Sequence, residues 1–564
     1  MGQIVRSHGG STVVSGQYLS VPDGLQIYIN ADVVSIADVE GARIVLSLAS
    51  PTRERSLLIW LALSLAIRSA RDGHSCIDLA NIGQWGPQIG SGIDWSLDLQ
   101  EWKTELAAHA DIVGAPESVA TVPRRPLVLD ENRLYLARVY AEECAVARRL
   151  LTNPDQQLRI ILGGPGTGKT TLVAQRLVDL PDEAIPSIAL CAPTGKASRH
   201  LKRVLERRLI DQGASDALKA ALELAPSLTA HKLLGYSPSA SPRYRFNAEN
   251  LLPFRLVIVD ETSMMSLSAM ARLTAALHPD AELWLVGDPH QLASVEAGTV
   301  LADIALGAES PSQPLHAVRT LLTEQHRFRS DSAIAKFAAA VRDGDVTTAL
   351  SLIQKGGEGF TWIDPLDNRE SLARLGASVA AHAQNMVSAA LEGDVARALT
   401  LKAQMQVLSA TRGGQLGVRE WNTAIEAQLG QSAAHAWYAG RPILVTRNDA
   451  ALNLANGDVG VVCIVNGERR AFFGSPEDPI DISIARLPYV ETVHALTIHK
   501  SQGSEYESVV VVLPTVTSRI TTRELLYTGV SRPTRSLTIV ATEAAIRAAV
   551  ATSVRRATGL ASRL

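Results

Sequence analysis

The sequence predicts an α/β protein: two blocks in which short apolar runs alternate with longer helical stretches, preceded by a smaller, mostly helical unit. Three observations carry this reading. From about 156 to 320, the runs Ile185–Cys191, Leu256–Val259 and Leu283–Val286 are separated by stretches of helical spacing, the alternation that builds a parallel sheet covered by helices. A second block, from about 322 onward, repeats it with Gln406–Ala410, Ile443–Val445, Val459–Val465, Ser508–Leu513 and Leu537–Ala541. Between an apolar run, Arg159–Leu162, and a helical stretch, Thr171–Val178, stands GGPGTGKT at 163–170, a phosphate-binding loop in its proper context. Two such blocks in one chain place a ligand in the cleft between them.

The 564 residues divide into three expected domains, 1–120, 121–320 and 321–564. A net charge of −3 excludes a strongly basic protein, so any nucleic-acid binding must rest on local surfaces. The four cysteines, Cys76, Cys144, Cys191 and Cys463, form no C-x-x-C pair, which argues against a zinc or iron–sulfur centre and suits a reducing, cytoplasmic setting. The N-terminal MGQIVRSHGG lacks the apolar core of a signal peptide. The longest apolar stretch, Leu57–Ile67, is bracketed by Arg53, Arg55, Arg68 and Arg71. It falls short of the ~20 residues a membrane span needs, so a buried helix and no membrane partner are expected.

In the first unit, helical spacing runs from Ala42 to Ala70, and Trp85, Trp95 and Trp102 cluster beyond it. These tryptophans are either core anchors or a protein-docking surface, where tryptophan is enriched. Thr121–Pro126, with two prolines and two arginines, reads as a linker. The 371–402 stretch reads as plain helix. No repeat of fixed period is present.

The phosphate loop fixes a chemistry. Gly163, Gly164, Pro165, Gly166, Thr167 and Gly168 can turn successive backbone N–H groups around phosphate oxygens. Lys169 is placed to reach the β- and γ-phosphates and Thr170 to hold Mg2+, with Thr171 opening the helix whose N-terminus receives the anion. Asp260 and Glu261 end an apolar strand 91 residues after Lys169. There the first acid can hold Mg2+ and the second can orient water. Gln291 follows another strand and carries both a donor and an acceptor, suited to sensing a γ-phosphate. Arg327 and Arg532 are the candidates for the arginine that stabilises charge on the transferring phosphoryl group. Both fall in the second block.

The motifs recur in a fixed order: GGPGTGKTT (163–171), APTGKAS (192–198), TAHKLLG (229–235), VDETSMM (259–265), GDPHQLASVEAG (287–298), EQHRF (324–328), LTIHKSQGSE (496–505) and YTGVSR (527–532). This order resembles the superfamily 1 helicases, and within them the 5′→3′ branch. GHSCIDL (73–79), RPLVLDENRLYL (125–136), LGVREWN (416–422) and GRPILVTRND with NGDVGVV (440–462) further resemble the RecD family, the alpha subunits of exodeoxyribonuclease V. The likeness covers residues 73 to 541.

That resemblance implies two RecA-like domains with ATP and Mg2+ between them and single-stranded DNA across their tops. Lys169, Thr170 and Asp260 would then serve ATP and Mg2+, and Glu261 the attacking water. Gln291, Arg327 and Arg532 would meet the γ-phosphate, with Gly503 and Glu505 approaching the nucleotide from the second domain. Pro193, Thr194, Thr229, His231, His499 and Ser501 would contact DNA without reading bases. The basic run Lys196, Arg199, Lys202, Arg203, Arg207 and Arg208 either lines an approach for DNA or forms a solvated helix face. The alternating segment at about 460–490 resembles a small SH3-like β insertion.

The resemblance also implies a 5′→3′ motor acting on single strands and duplex ends. It would sit in a heterotrimer with RecB-like and RecC-like subunits that repairs double-strand breaks by recombination. No nuclease acid cluster is recognisable, so DNA cutting is assigned to a partner. The alternatives are a free-standing helicase of the same branch, disfavoured because no helix-hairpin-helix units are recognisable in 1–120, and a non-motor scaffold, disfavoured because every catalytic position is filled. One departure stands out. The family's adenine-reading glutamine, about 20–25 residues before the loop lysine, has no counterpart, since Gln156 and Gln157 lie too near Lys169. Either adenine is read weakly or from elsewhere, or, as expected here, an internal segment is absent.

Overall fold

The computed structural model describes residues 21–49, 55–84, 98–116, 125–327, 332–431, 437–449, 451–516, 518, 520–554 and 556–564. Two compact units emerge. The first comprises residues up to Cys144 with Glu296–Gly298 and Arg556–Gly559, and the second holds the remainder.

In the first unit, the helices Ile36–Ala49 and Leu57–Arg71 pack around Leu46, Ile59, Leu61, Leu63, Leu65 and Trp102. Ser56 starts the second helix, its hydroxyl accepting from Ile59 N–H at 3.4 Å. Strands β1 (Ile77–Asp78), β2 (Val113–Gly114), β3 (Leu127–Asp130) and β4 (Arg133–Leu136) form a sheet in the order β1-β4-β3-β2. Because Val113 and Gly114 pair with Leu127 and Val128, the expected boundary at 120 falls inside a sheet, and the unit runs on to Cys144. Trp102 is fully buried and is a core anchor. Trp85, Trp95 and residues 121–124 of the expected linker lie outside the described residues.

Among the described residues, the second unit contains three sheets. The first has β5 (Leu158–Gly163), β6 (Ile188–Ala192), β7 (Ser227–Thr229), β8 (Leu256–Val259), β9 (Glu282–Gly287) and β10 (Arg319–Leu322) in the order β10-β5-β9-β8-β6-β7. Every pairing is parallel. Helices cover it, so β6 and β8 are buried throughout, which is why both read as unbroken apolar runs. Its core includes Ile161, Leu190, Ile258, Trp284 and Val286.

A second parallel sheet orders β11 (Phe360–Ile363), β12 (Met405–Ser409), β18 (Ala495–Thr497), β19 (Tyr506–Val512) and β20 (Pro533–Val540) as β11-β20-β19-β12-β18. The third is antiparallel, β16-β15-β14-β13-β17, built from β13 (Pro442–Val445), β14 (Val459–Val465), β15 (Glu468–Gly474), β16 (Pro479–Ser483) and β17 (Val490–Thr492). Asn466 and Gly467 both take positive φ, 54° and 81°, as a two-residue hairpin requires. Ile443–Val445, expected among the strands of the second α/β block, belongs to this antiparallel sheet instead. The insertion therefore begins about twenty residues before its expected start.

Arg327 also moves. β10 pairs with β5 on the edge of the first sheet, so Arg327 follows the last strand of the first sheet and lies in the connection toward the second. No described helix is long and apolar enough to cross a membrane.

Candidate functional site

The phosphate loop leaves β5 and enters the helix Lys169–Val178. Gly166 and Gly168 hold φ of +75° and +83°, a region that glycine enters without strain. Gly166 is constrained twice, because a Cβ there would lie 2.6 Å from Arg327 Cβ. Lys169 Nζ donates to the carbonyls of Gly163 and Gly164 at 2.8 and 2.9 Å, so the ammonium is folded over the cradle. Thr167 Oγ1 donates to Gly164 O at 2.8 Å and closes the turn. Thr170 and Thr171 are half-buried at the helix start.

At the end of β8, Asp260 Oδ1 accepts the Glu261 backbone N–H at 2.8 Å. Glu261 itself sits at φ 50°, a left-handed backbone that a non-glycine residue adopts at a cost. Burial pushes both carboxyls above the usual carboxylate range, and for Glu261 the neighbouring Asp260 charge adds to it. Lys169 pulls both back, and Arg532 pulls Glu261. Two crowded, half-buried carboxylates beside a threonine-bearing loop supply hard oxygen donors. Among the described residues no cluster of three or more acidic, histidine or cysteine ligands occurs. That donor set fits a magnesium ion, which binds one or two protein oxygens plus phosphate and water, rather than a metal needing a full protein cage.

The second parallel sheet delivers its groups onto the first. Arg532, 3% exposed, follows the helix Arg523–Val530. It donates Nη2 to Gln291 Oε1 at 2.7 Å and Nε to Thr528 O at 2.8 Å. Gln291 Nε2 donates to Asp288 Oδ2 at 3.1 Å. Arg327 Nη1 donates to Ser531 O at 2.8 Å, and its guanidinium is ion-paired with Glu505. Burial lowers the pKa of Arg327, and Glu505 opposes that shift. Gly503 holds φ +69° just before Glu505. Leu292 N–H donates to Thr528 Oγ1 at 3.0 Å, and Gln502 Nε2 donates to Leu292 O at 2.9 Å. Lys169, Asp260, Glu261, Gln291, Arg327, Arg532 and Glu505 are thus gathered around one junction between the two parallel sheets.

The expected DNA residues fare unevenly. Pro193 and Thr194 follow the C-terminal end of β6, but the Thr194 hydroxyl caps the helix Gly195–Asp211, accepting from Ala197 N–H at 3.2 Å. Thr229 caps its own short helix in the same way, accepting from Lys232 N–H at 3.4 Å. His231 is exposed, edge-on to Tyr236 at 5.6 Å. His499 is exposed. Ser501 is fully buried and donates to Ile498 O at 2.7 Å, so its hydroxyl braces a turn and does not face outward. The basic run splits. Lys202 Nζ is spent on the carbonyls of Glu223 and Ala225, whereas Arg203, Arg207 and Arg208 are exposed. Lys196 Nζ donates to Ser504 Oγ at 2.8 Å, and Arg199 is ion-paired with Asp458.

The helix Ala137–Leu151 ends just before β5 and covers the 20–25-residue spacing upstream of Lys169. It carries no glutamine; Cys144 stands 25 residues before the lysine. Residues 152–157, with the short helix Pro154–Gln157, connect this helix to β5.

Sequence reasoning overlooked Asp288, Tyr527, Ser504 and Asp458. All four lie inside quoted motifs, but nothing in a linear motif says which of its residues meet across a cleft.

Three family models match in series: a RecBCD enzyme subunit RecD N-terminal domain over 30–135, an AAA domain over 139–358 and a UvrD-like helicase C-terminal domain over 492–540. A RecBCD enzyme subunit RecD of Mycobacterium tuberculosis is 39% identical, covering 96% of this chain and 96% of its own length. That of Haemophilus influenzae is 33% identical over 71% of this chain and 69% of its own. An ATP-dependent RecD2 DNA helicase of Deinococcus radiodurans is 30% identical over 67% of this chain but 46% of its own length. A crystal structure of Bacteroides Pif1 bound to single-stranded DNA aligns at 15% identity and a TM-score of 0.39, over 71% of this chain and 93% of that one. With a site shared by two parallel sheets and end-to-end similarity to RecBCD subunits, the chain belongs to the RecD family.

Proposed function

We propose that this chain is an ATP-dependent 5′→3′ DNA helicase, the motor subunit of a RecBCD-type helicase–nuclease that processes broken DNA ends for recombination. The observation that carries the reading is the direct bond from Arg532, after the second sheet's helix, to Gln291, after the first sheet's strand. A nucleotide bound by one sheet is thereby sensed by the other, and closing that junction on ATP becomes relative motion of the two along a strand.

In this mechanism, the glycines of 163–168 and Lys169 hold the phosphates. Thr170 and Asp260 would hold Mg2+, which when bound spreads the charge of the β- and γ-phosphates. Glu261, whose carboxyl is held above the usual carboxylate range by burial and by the neighbouring Asp260 charge, orients the attacking water. Arg327 and Arg532 stabilise charge on the γ-phosphate, and Glu505 frees Arg327 when the nucleotide arrives. Exposed His231, His499, Arg203, Arg207 and Arg208 supply a backbone-tracking surface for single-stranded DNA. RecB-like and RecC-like subunits are the proposed partners. The even coverage of mycobacterial RecBCD subunits, against less than half of the RecD2 helicase, favours a complex subunit over a free-standing enzyme.

With Mg2+ and ATP, the full chain should hydrolyse ATP faster when an oligo(dT) strand is added. Lys169→Ala should abolish that turnover and still co-purify with its two large partners. Absence of strand-stimulated hydrolysis by the unaltered protein would sink the motor assignment.

A further inference from the structure

The first unit holds two short segments from far along the chain, Glu296–Gly298 and Arg556–Gly559. Both meet the turn that opens the GHSCIDL motif. Gly298 N–H donates to Gly73 O at 3.0 Å. Arg556 Nη1 donates to Glu296 O at 3.0 Å and to Gly298 O at 3.0 Å, so one guanidinium nitrogen gathers two carbonyls of the same turn. Gly73 holds φ +91°, and a Cβ there would stand 2.7 Å from Arg556 Cζ. The backbone and the guanidinium laid against it both call for glycine.

The strap beyond Arg556 is itself held. Ser75 N–H donates to Ala557 O at 3.0 Å, and Ala557 N–H donates to His74 Nδ1 at 3.0 Å. Burial, with the Arg556 charge adding to it, pushes His74 down to about 4, so the ring is neutral near pH 7 and its Nδ1 is free to accept. Glu143 is fully buried and accepts on Oε1 from Ser75 Oγ at 2.6 Å, Thr558 Oγ1 at 3.1 Å and Gly559 N–H at 3.1 Å. A Cβ on Gly559 would collide with the Tyr135 hydroxyl. Shifting the strap would strip donors from a buried carboxylate, which carries the full desolvation cost of that group.

The strap grips the loop that carries Gln291. That loop leaves β9, and Gln291 stands seven residues before Gly298. Near Gln291, the N–H and carbonyl of Leu292 are taken by Thr528 and Gln502. Beyond Gly298, Thr299 opens the helix Val300–Leu306. The loop is therefore tied at both ends, and its far tie belongs to the first unit.

We infer that Arg556 is a positioning residue for ATP hydrolysis: its two carbonyl bonds fix the far end of the loop whose near end presents Gln291 to Arg532. In this role it acts through the loop alone. The first unit thereby has a grip on hydrolysis, separate from any part in docking a partner. The inference rests on the functional reading above.

The test uses the full chain with ATP, Mg2+ and oligo(dT), and reads both turnover and backbone exchange. Arg556→Ala should lower strand-stimulated kcat about fivefold, with KM for ATP within about twofold because the phosphate-binding groups are untouched. Hydrogen–deuterium exchange should rise about tenfold in a peptide covering 293–299 and stay level in β9. Arg556→Lys should recover part of kcat, since one ammonium carries enough donors for both carbonyls. In a Gln291→Ala background, Arg556→Ala should change kcat by less than about twofold, since its target is gone. An ordinary kcat for Arg556→Ala overturns the inference, and so does a double variant whose loss is the product of the single losses. A lower kcat accompanied by raised exchange throughout the chain marks a structural role only and overturns it too. If Arg556→Ala does not fold, Arg556→Met keeps the stem, removes the donors and runs the same cycle. An unaltered chain with no strand-stimulated turnover overturns the functional reading itself, while the exchange measurement still decides whether Arg556 holds the loop.

Discussion

The two parallel sheets hold their shares of the site differently. On the first sheet the groups are secured locally: Lys169 bonds to carbonyls five and six residues away, and Asp260 is tied to the next residue's N–H. The arginine of the second sheet is anchored on its own side by Thr528, Ser504 and Ser531, and it also reaches across to what lies opposite. Arg532 takes Gln291 at a sequence separation of 241 residues. Arg327, in the connection between the sheets, is tied to Ser531 and Glu505 beyond it. One half of the site is built in advance, and the other is complete only when the halves meet. A motor needs that asymmetry, because a nucleotide must bind before closure and be hydrolysed only after it.

The widest break in the comparison comes from the conditional half. Arg532→Ala should cut kcat roughly 10³-fold, the low end for an arginine finger, while nucleotide affinity, supplied by the first sheet, changes little. Arg532→Lys keeps the charge but not the two-pronged fork and should recover only a small part. Steady-state hydrolysis beside a fluorescent-nucleotide titration separates the two quantities. An Arg532→Ala enzyme with ordinary kcat but weak binding would reverse the roles given to the sheets.

The preformed half should fail the opposite way. Gly166→Ala imposes a positive φ on a side chain and drives its Cβ toward Arg327. Nucleotide affinity should fall about tenfold or more, with the loss seen directly in the titration. Affinity near that of the unaltered chain would show that the loop is less constrained than its geometry implies.

The same asymmetry governed what could be read from the sequence. The phosphate loop and the acids after β8 were legible because their chemistry is packed into a few consecutive residues. The parallel strands were legible because burial on both faces leaves continuous apolar runs. Arg199 meeting Asp458 was not legible, because nothing local distinguishes a carboxylate that pairs with a distant arginine from one that caps a turn. The first unit's boundary was misplaced for a related reason: β2 pairs with β3 across Thr121–Pro126, and pairing is not written into a proline-rich stretch. Thr194 and Thr229 look like DNA-contacting hydroxyls in sequence, yet both cap helices. The motif marks the position and leaves the partner of its hydroxyl open.

A smaller effect concerns the antiparallel insertion. Asp458, just before β14, is 7% exposed and pairs with Arg199. A Cβ on Gly195, at the start of the same helix, would lie 2.6 Å from Ala455 Cβ. The insertion's carboxylate thus occupies basic groups that a phosphate could use. Asp458→Asn should tighten oligo(dT) binding about threefold at low salt and steepen the dependence of log K on log salt by about 0.7, one more phosphate contact on a single strand. An unchanged slope would mean that Arg199 stays a structural partner when DNA binds.

The smallest effect tests stability beneath the second sheet. Lys402, 8% exposed, precedes β12; its ammonium contacts Gln406 and lies 5.5 Å from the Tyr506 ring centroid. Burial, with the Lys196 charge adding to it, pushes Lys402 down to about 7. Unfolded, the same lysine titrates near 10.4, at roughly the value of a free side chain. Between those values the unfolded chain holds a proton that the folded chain does not, so raising the pH favours folding. The destabilisation is complete below pH 7 and vanishes by about pH 10.4. Lys402→Met keeps the stem and removes the charge. Its gain in thermal midpoint over the unaltered chain should therefore be largest at pH 6 and shrink steadily toward pH 10. A difference flat across that range would mean that Gln406 and the Tyr506 ring stabilise the ammonium as well as water does, leaving this lysine with no linkage to folding.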